Sequence, residues 1–301
     1  MPETSTYLDE ATRNGLTAEP KELPPVWLYD ERGSLLYEKI TRLPDYYLPR
    51  REAEVLRAHA HEIAELTQAR TLVELGSGNS RNTRFLLDAL GLERFVPLDV
   101  SEEMLMASAE AVGAAYPRIS VEPIVGDFER DLATLPGEGT RLIALLGSTI
   151  GNLYPEQRAK LLAGLADEQF LVGIDLVKDV VRLQAAYDDP DGVTEAFARN
   201  ALTAVNRELG ATFEQQRFVY EPRWDREHEW MDIGFRAREA HTVSIPGLEL
   251  DVELAEGEWL RVEVSSKFRR EPFERELGEA GLRVRAWWTD PAGDFAVVLA
   301  N

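Results

Sequence analysis

Short apolar runs alternate with amphipathic segments along the first half of the chain. Five of these runs have the length of a buried strand, and they are Thr71–Leu75, Arg94–Leu98, Ile119–Ile124, Leu142–Leu146 and Phe170–Ile174. Segments with helical periodicity separate them, and another such segment precedes the first run at about residues 51–68. Strands that are apolar on both faces and spaced by helices are typical of a parallel sheet covered on both sides. The pattern therefore predicts an α/β fold.

The periodicity changes after Leu176. Residues 178–210 are predicted to be helical with a break at Asp188–Gly192, and residues 215–265 alternate polar and apolar positions as antiparallel strands do. The last elements are predicted to be a helix and two strands, at Pro272–Ala280, Leu282–Trp288 and Phe295–Leu299. A helix and a hairpin are what five parallel strands need to complete a seven-stranded sheet, so residues 178–265 are interpreted as an insertion between the fifth strand and the last helix.

Two domains are expected from this organisation. Residues 51–177 and 268–301 are predicted to form the sheet domain that binds a cofactor, and residues 1–50 and 178–267 an α+β substrate-binding domain. The first 50 residues are predicted to be irregular, with a turn at Asp30–Gly33.

The formal net charge of −21 excludes two classes of partner. A nucleic-acid backbone and an anionic membrane surface both require a Lys/Arg footprint that this chain lacks. The absence of cysteine excludes disulfides and thiolate metal sites, and the four histidines form no usual ligand set, so no metal is expected. Because neither a signal peptide nor a transmembrane run is found, a cytoplasmic protein is expected. A monomer is also expected.

A glycine turn, Gly76-Ser77-Gly78, follows the first predicted strand and opens a helix. Glycine lets the backbone turn sharply and pass close to a ligand at the carboxyl end of a parallel strand, where α/β proteins bind ligands. The third glycine of a dinucleotide fingerprint is missing because Arg81 stands in its place. This weakens the interpretation as a nicotinamide site, although a plain structural turn stays open.

Acidic residues follow the next two strands. Asp99, at the end of the second, suits a ribose diol but would serve NAD equally well. Asp127-Phe128, after the third, suits adenine, because a carboxylate can accept from the exocyclic amine while a ring lies against the base. The three strand ends together favour S-adenosylmethionine.

Beyond the fourth strand, the loop Gly147–Asn152 would expose backbone beside the cofactor's methyl group, unless Asn152 only caps the helix that begins near Pro155.

At these residues the chain resembles the histidine-specific, S-adenosylmethionine-dependent methyltransferases, whose bacterial members make trimethylhistidine (hercynine) for ergothioneine biosynthesis. The resemblance covers nearly the whole chain. Its strongest segments are Glu38–Tyr47, Val73–Ser80, Gly147–Leu153, Phe197–Asn200, Asn206–Leu209, Glu263–Phe268 and Trp287–Phe295. It implies a class I Rossmann-like methyltransferase sheet with an inserted domain, S-adenosylmethionine as cofactor and L-histidine as substrate.

The resemblance also implies roles for individual residues. Those implied to bind the cofactor are Gly76, Ser77, Gly78, Asn82, Asp99, Asp127 and Phe128, where Asn82 replaces a lysine that some relatives carry near the cofactor carboxylate. Those implied to contact the substrate amino group are Tyr29, Gly147 and Asn152, of which Tyr29 and Asn152 are the catalytic candidates. Those implied to contact the substrate elsewhere are Tyr46 (or its neighbour Tyr47) and Tyr187 at the carboxylate, Glu263 and Ser265 at the imidazole, and Ile233 in the pocket wall.

The residue types agree with these roles. Tyrosine hydroxyls can donate to a carboxylate without adding a cation, and Glu263 and Ser265 share one strand face where they can read the two imidazole nitrogens. Ile233 stands where the best-known relatives carry methionine, which leaves another aromatic amine such as tryptophan open. A nicotinamide oxidoreductase and a non-catalytic binding protein that kept the fold are the alternatives from other classes.

Overall fold

The computed structural model describes residues 2–132, 135–136 and 140–301, with side chains from residue 7 onward. The chain divides into unit 1, residues 1–46 and 179–265, and unit 2, residues 47–178 and 266–301. It therefore passes between the units at 46/47, 178/179 and 265/266. None of the helices within the described ranges has the length and apolar character needed to cross a membrane.

The regular elements alternate between helices and strands through most of unit 2. The helices are α1 (Pro2–Thr17), α2 (Glu31–Ile40), α3 (Leu48–Thr67), α4 (Arg84–Ala89), α5 (Glu102–Ala115), α6 (Phe128–Asp131), α7 (Pro155–Ala163), α8 (Val180–Ala185), α9 (Val193–Leu209) and α10 (Arg270–Glu279). The strands are β1 (Lys21–Glu22), β2 (Thr71–Leu75), β3 (Arg94–Asp99), β4 (Ser120–Val121), β5 (Ile124–Val125), β6 (Arg141–Leu145), β7 (Gln169–Asp175), β8 (Phe218–Asp225), β9 (Trp230–Ala237), β10 (His241–Ile245), β11 (Leu250–Leu254), β12 (Trp259–Ser266), β13 (Val284–Thr289) and β14 (Phe295–Ala300).

Unit 2 contains a mostly parallel sheet in the order β13-β14-β7-β6-β2-β3-β4, with β5 also paired to β3. Strands β2, β3, β6 and β7 run parallel, whereas β14 is antiparallel to both β7 and β13. The central strands are almost completely buried because helices cover both faces. The predicted α/β sheet, finished by a C-terminal hairpin, is confirmed.

The third predicted strand, Ile119–Ile124, is wrong as a single element. The structure has two short strands there, β4 and β5, and both pair with β3. Pro123 lies between them, and it interrupts the ladder because proline has no backbone N–H to donate.

The prediction that the first 50 residues are irregular is also wrong. Two helices, α1 and α2, occupy much of this region. Asp30, predicted in a turn, is instead the N-cap of α2 and accepts a hydrogen bond from Gly33 N at 2.8 Å. A Cβ at Gly33 would lie 1.7 Å from the Leu28 carbonyl oxygen, so the glycine allows a close approach of backbone that the sequence pattern does not reveal.

Unit 1 is built on a smaller sheet in the order β1-β12-β9-β8, with a separate hairpin formed by β10 and β11. Strands β8 and β9 are antiparallel, and β1 is parallel to β12. Helix α9 packs its buried face against α2 and the 3-10 turn Pro25–Leu28. Strand β12 therefore belongs to the same unit as β1 and α2 from the N-terminal region.

In unit 2 the three chain crossings lie beside one buried carboxylate. Asp175, at the end of β7, accepts hydrogen bonds from the Tyr47 hydroxyl at 2.9 and 3.1 Å. It also forms ion pairs with Lys178 and, at 3.1 Å, with Lys267. The side chains of Asp175 and Lys267 are fully buried, and burial lowers the pKa of Lys178 even though Asp175 opposes that shift. Buried charges are tolerated only when they are paired in this way.

We predict that Asp175→Asn destabilises unit 2 by about 3–5 kcal/mol, because it leaves buried lysines without their anion. Urea unfolding followed by circular dichroism measures the change. Asp167→Asn, at an exposed position of the same unit, is the control and should stay within about 0.5 kcal/mol of the unmodified protein. A loss for Asp175→Asn no larger than that of the control would contradict the role given to this carboxylate.

Candidate active site

The chain leaves β2 through a turn at Gly76 and Gly78, whose φ values are +64° and +49°. A Cβ at Gly76 would lie 3.7 Å from Thr149 Cγ2 and 3.8 Å from Phe128 Cε1, so three segments converge on this turn. At Gly78 the position of a Cβ has no neighbouring heavy atom within 4 Å in the described parts of the chain. Between them, Ser77 Oγ is buried without a hydrogen-bond partner among the described residues. The turn therefore borders open space and offers an unsatisfied hydroxyl to a ligand.

Asp99 ends β3 beside the glycine turn. One carboxylate oxygen accepts from Gly78 N at 2.8 Å and the other from Ser101 N at 2.9 Å. Burial raises the pKa of Asp99, and these backbone donors oppose the rise. The backbone N–H of Val100 is a third donor that lowers this pKa, and the carboxylate keeps acceptor capacity for a ribose hydroxyl.

Asp127 and Phe128 follow β5 at the same edge of the sheet. Asp127 is the N-cap of α6 and accepts from Glu129 N at 2.9 Å. Burial raises the pKa of Asp127, as does the negative charge of Asp131. The Phe128 ring lies against the position of Gly76. The structure thus brings together the predicted residues of three strand ends. Within its described ranges, it holds no group of three or more His, Asp or Glu residues that could bind a metal ion.

Two buried glutamates in unit 2 were not predicted. Glu74 is 3% exposed, and its carboxylate accepts from Thr83 Oγ1 and, at 3.3 Å, from Ser80 Oγ. Burial raises the pKa of Glu74 to about 8, helped by the charges of Glu52 and Asp99. The glutamate stands in the run Thr71–Leu75, and a charged residue in an otherwise apolar strand is the signal that could have identified it.

Glu52, the second glutamate, lies on α3 and is 2% exposed. It accepts from Gly147 N at 2.6 Å and from Asn82 Nδ2 at 2.8 Å. Burial raises its pKa to about 7, against the effect of these two donors. Val55 and Leu56, three and four positions along the helix, are buried as well. A charged residue on the apolar face of an amphipathic helix was therefore visible in the sequence.

Asn82 uses both amide protons inside unit 2. Besides its bond to Glu52, Nδ2 donates to the Pro49 carbonyl oxygen at 3.0 Å. The remaining polar atom, Oδ1, is an acceptor. Asn82 is therefore not arranged to donate to a carboxylate as a lysine would.

The loop after β6 begins at Gly147 and Ser148, both with positive φ, and ends in the 3-10 turn Thr149–Asn152. Ser148 Oγ accepts from Asp175 N at 3.0 Å, which ties the loop to β7. Helix α7 has Tyr154 as its N-cap, so the alternative that Asn152 caps this helix is wrong. Gly147 and Asn152 thus belong to one short loop of unit 2.

In unit 1, aromatic rings collect into a group that we call the tyrosine cluster. It consists of Tyr29, Tyr37, Tyr46, Tyr187 and Phe197. Tyr46 and Tyr187 meet edge to face with ring centroids 6.0 Å apart, and Tyr29 and Phe197 meet in the same way at 5.4 Å. Tyr37 and Phe197 were not predicted as site residues, because spacing along the chain does not show which rings meet.

The tyrosine cluster is joined to the predicted pair on β12. Tyr187 Oη lies 2.9 Å from Ser265 Oγ, and Tyr29 Oη donates to Glu263 Oε1 at 3.4 Å. Tyr220 Oη donates to the Tyr187 carbonyl oxygen at 2.6 Å and holds that backbone in place. Glu263 and Ser265 are 8% and 4% exposed. Five predicted substrate residues of unit 1 are therefore in one buried polar group.

The structure separates Tyr46 from Tyr47. Tyr46 packs in the tyrosine cluster, whereas the Tyr47 hydroxyl is occupied by Asp175 and Lys178. Burial raises the pKa of Tyr46 well above its ordinary value, and a hydrogen bond with Tyr37 adds to the rise. Its hydroxyl therefore stays protonated and able to donate. Ile233 is buried on β9, the strand beside β12.

Comparison with known proteins gives consistent matches over nearly the full chain. The family model described as "Histidine-specific methyltransferase, SAM-dependent" matches residues 8–301. The chain is 50% identical to the histidine N-alpha-methyltransferase of Mycolicibacterium smegmatis, over 96% of this chain and 92% of that protein. It is 48% identical to the protein of the same name from Mycobacterium tuberculosis, over 95% of this chain and 92% of that protein. Ergothioneine biosynthesis protein 1 of Neurospora crassa is 31% identical over 90% of this chain and 32% of its own length.

A solved structure confirms the fold class. The crystal structure of an S-adenosylmethionine-dependent methyltransferase from Clostridium acetobutylicum matches with a TM-score of 0.50 and 12% identity, over 88% of this chain and 98% of that one. At this identity the match supports the predicted Rossmann-like methyltransferase sheet and nothing about substrate.

The raised pKa values of Glu52 and Glu74 predict that stability falls as pH rises. Above pH 4.5 the folded state keeps protons that the unfolded state has released, up to about pH 7 for Glu52 and about pH 8 for Glu74. In its window each group lowers the free energy of unfolding by up to about 1.4 kcal/mol per pH unit. Glu74→Gln removes one of these groups while keeping an oxygen acceptor. Urea unfolding at several pH values should therefore show a smaller decrease for Glu74→Gln. An unchanged slope, matching that of the exposed control Glu156→Gln, would contradict this account.

Proposed function

Because the chain belongs to the family of histidine-specific, S-adenosylmethionine-dependent methyltransferases, we propose that it methylates the α-amino group of L-histidine, up to trimethylhistidine. S-adenosylmethionine is the methyl donor of this family. The product belongs to ergothioneine biosynthesis, the process for which the Neurospora crassa relative is named. A monomeric state and a cytoplasmic location stay predictions.

The proposal assigns the cofactor to unit 2 and the side chain of histidine to unit 1. The observation that carries it is the buried pair Glu263 and Ser265, which stand two residues apart on β12 and are hydrogen-bonded to tyrosine hydroxyls. A buried carboxylate that can accept, next to a hydroxyl that can donate or accept, complements the N–H and the bare nitrogen of a neutral imidazole.

The residues at the strand ends of unit 2 fit S-adenosylmethionine. We assign the ribose hydroxyls to Asp99, and the adenine to Asp127 and Phe128. The open backbone at Gly78 and the unsatisfied Ser77 hydroxyl leave room and a hydrogen-bonding group for the rest of the cofactor. When bound, the cofactor supplies a methyl group that its sulfonium has already activated, so the protein's main contribution is alignment.

Asn82 receives a different role from the one that relatives with a lysine suggest. Since both of its amide protons are engaged, it presents only Oδ1. An acceptor suits the ammonium group of the cofactor's methionine part rather than its carboxylate.

We assign the carboxylate of histidine to Tyr46 and Tyr187. Both hydroxyls belong to buried side chains, and the raised pKa of Tyr46 keeps its proton in place as a donor. Neutral donors bind a carboxylate without repelling the ammonium two bonds away. The tyrosine faces also suit the permanent cation that the third methylation creates.

The amino group must be neutral to react, because an ammonium has no lone pair. An α-amine titrates near 8 in peptides, so one proton must leave the nitrogen before each of the three transfers. Tyr29, whose hydroxyl donates to Glu263, is assigned to orient the amine, and the released protons pass to water. We assign the same orienting role to Asn152 Oδ1, and a close approach of the amine to the backbone at Gly147.

We predict that Glu263→Ala raises the KM for histidine by at least about tenfold and leaves the KM for S-adenosylmethionine within about twofold. The reason is that a hydrogen bond to a charged group contributes about 1.5–3 kcal/mol, and only histidine is assigned to this carboxylate. Steady-state kinetics with each substrate varied in turn provides the measurement.

The matched control is Glu253→Ala, which removes an exposed glutamate from a strand of the same unit. It should change neither KM. Equal increases in both KM values for Glu263→Ala would remove the imidazole assignment, and no turnover of histidine by the unmodified protein would remove the proposed function itself.

A further inference from the structure

Glu52 is a buried carboxylate that has no role in the cofactor and substrate assignments made above. Its two oxygens have different partners: one accepts from the backbone N–H of Gly147 and the other from the side chain of Asn82. Gly147 begins the loop assigned to the substrate amine, and Asn82 follows the glycine turn assigned to the cofactor. One side chain on α3 therefore touches both halves of the reaction machinery of unit 2.

A glycine on the neighbouring strand β7 leaves space for the Glu52 carboxylate. A Cβ at Gly173, in the middle of β7, would lie 2.3 Å from Glu52 Oε1. Glycine weakens a strand interior and is found there chiefly where another group must come close. Such a Cβ would also lie 3.1 Å from two atoms of the Phe295 ring, so the glycine at position 173 leaves space for both the Glu52 carboxylate and this ring.

Stability does not account for Glu52. Its hydrogen-bonding partners are a backbone N–H and an amide, both neutral, and burial raises its pKa to about 7. A buried carboxylate held only by neutral donors is costly, and an apolar side chain of similar volume is often at least as stabilising. A group that is retained at such a cost needs a reason other than packing.

We propose that Glu52 is a positioning residue for methyl transfer: one oxygen holds the Gly147 loop against the substrate amine, and the other holds Asn82 with its Oδ1 turned toward the cofactor. The inference rests on the proposed function. Because each oxygen has its own partner, the two effects can be removed separately.

Three variants separate the two effects. Glu52→Ala removes both bonds. Asn82→Ala keeps the bond to Gly147 and removes the bond on the cofactor side, together with the bond from Asn82 to the Pro49 carbonyl oxygen. Glu52→Gln keeps an oxygen for Gly147 and places an amide N–H₂ against Asn82 Nδ2, so donor meets donor. The double variant Glu52→Gln with Asn82→Asp restores the bond between these two side chains with donor and acceptor exchanged, but it lacks the donor to the Pro49 carbonyl oxygen.

Two measurements compare these variants with the unmodified protein. Titration calorimetry with S-adenosylhomocysteine gives the Kd of the cofactor site, and steady-state kinetics with histidine gives kcat and KM. Asn82→Ala and Glu52→Gln should raise the Kd about 3- to 10-fold with little change in kcat, as expected for one lost hydrogen bond. The double variant should bring the Kd below that of Glu52→Gln, with incomplete recovery because the bond to Pro49 is still missing. Glu52→Ala should also lower kcat on the order of 10- to 100-fold, because small misplacements of reacting groups have effects of that size.

Asp290→Asn is the control for loss of a buried carboxylate in the same unit, since Asp290 is 2% exposed and has no assigned role. It should leave Kd, KM and kcat unchanged after correction for the folded fraction from thermal melts. The inference is overturned if Glu52→Ala behaves like Asp290→Asn, or if the double variant is no better than Glu52→Gln. If the unmodified protein does not methylate histidine, the proposed function fails, and the calorimetric values still decide whether Glu52 positions Asn82.

Discussion

The carboxylate of Asp175 is the interaction on which most of unit 2 depends. It ends β7, the last parallel strand, and it binds Tyr47, Lys178 and Lys267, which stand at or beside the three places where the chain passes between the units. Its backbone N–H also donates to Ser148 in the loop assigned to the substrate amine. An insertion into an α/β sheet needs its entry and exit points held in place, and here one buried network of charges holds them next to the functional loop.

The rest of the site contains several buried acidic groups whose hydrogen-bond donors are neutral. Glu52, Glu74, Asp99 and Asp127 receive backbone or neutral side-chain donors, and burial raises the pKa of each. Such carboxylates are costly to bury, but they remain strong acceptors for ribose hydroxyls, amines and backbone N–H groups. The free-energy cost of burying these carboxylates is consistent with a role in ligand binding and alignment rather than in stability alone.

The sequence could predict the sheet because buried parallel strands leave continuous apolar runs, and Thr71–Leu75 is β2 without any shift. It could not predict α1 and α2, because these two helices are rich in polar residues. Local spacing also failed to choose between Tyr46 and Tyr47, since the choice depends on Asp175, 128 positions away from Tyr47. Tyr37 was missed for the same reason, because the rings that it meets are brought close only by the fold. Glu52 was visible as a charge on the apolar face of its helix, but its partners Gly147 and Asn82 become its neighbours only in the fold.

The central claim is that the chain methylates the α-amino group of histidine. Mass spectrometry after incubation with S-adenosylmethionine and an equimolar mixture of all twenty amino acids tests it most directly. The account predicts gains of one to three methyl groups on histidine, with fragmentation placing them on the α-nitrogen, and no gain on tryptophan. Methylation of tryptophan or another amino acid in place of histidine, or of an imidazole nitrogen, would contradict it.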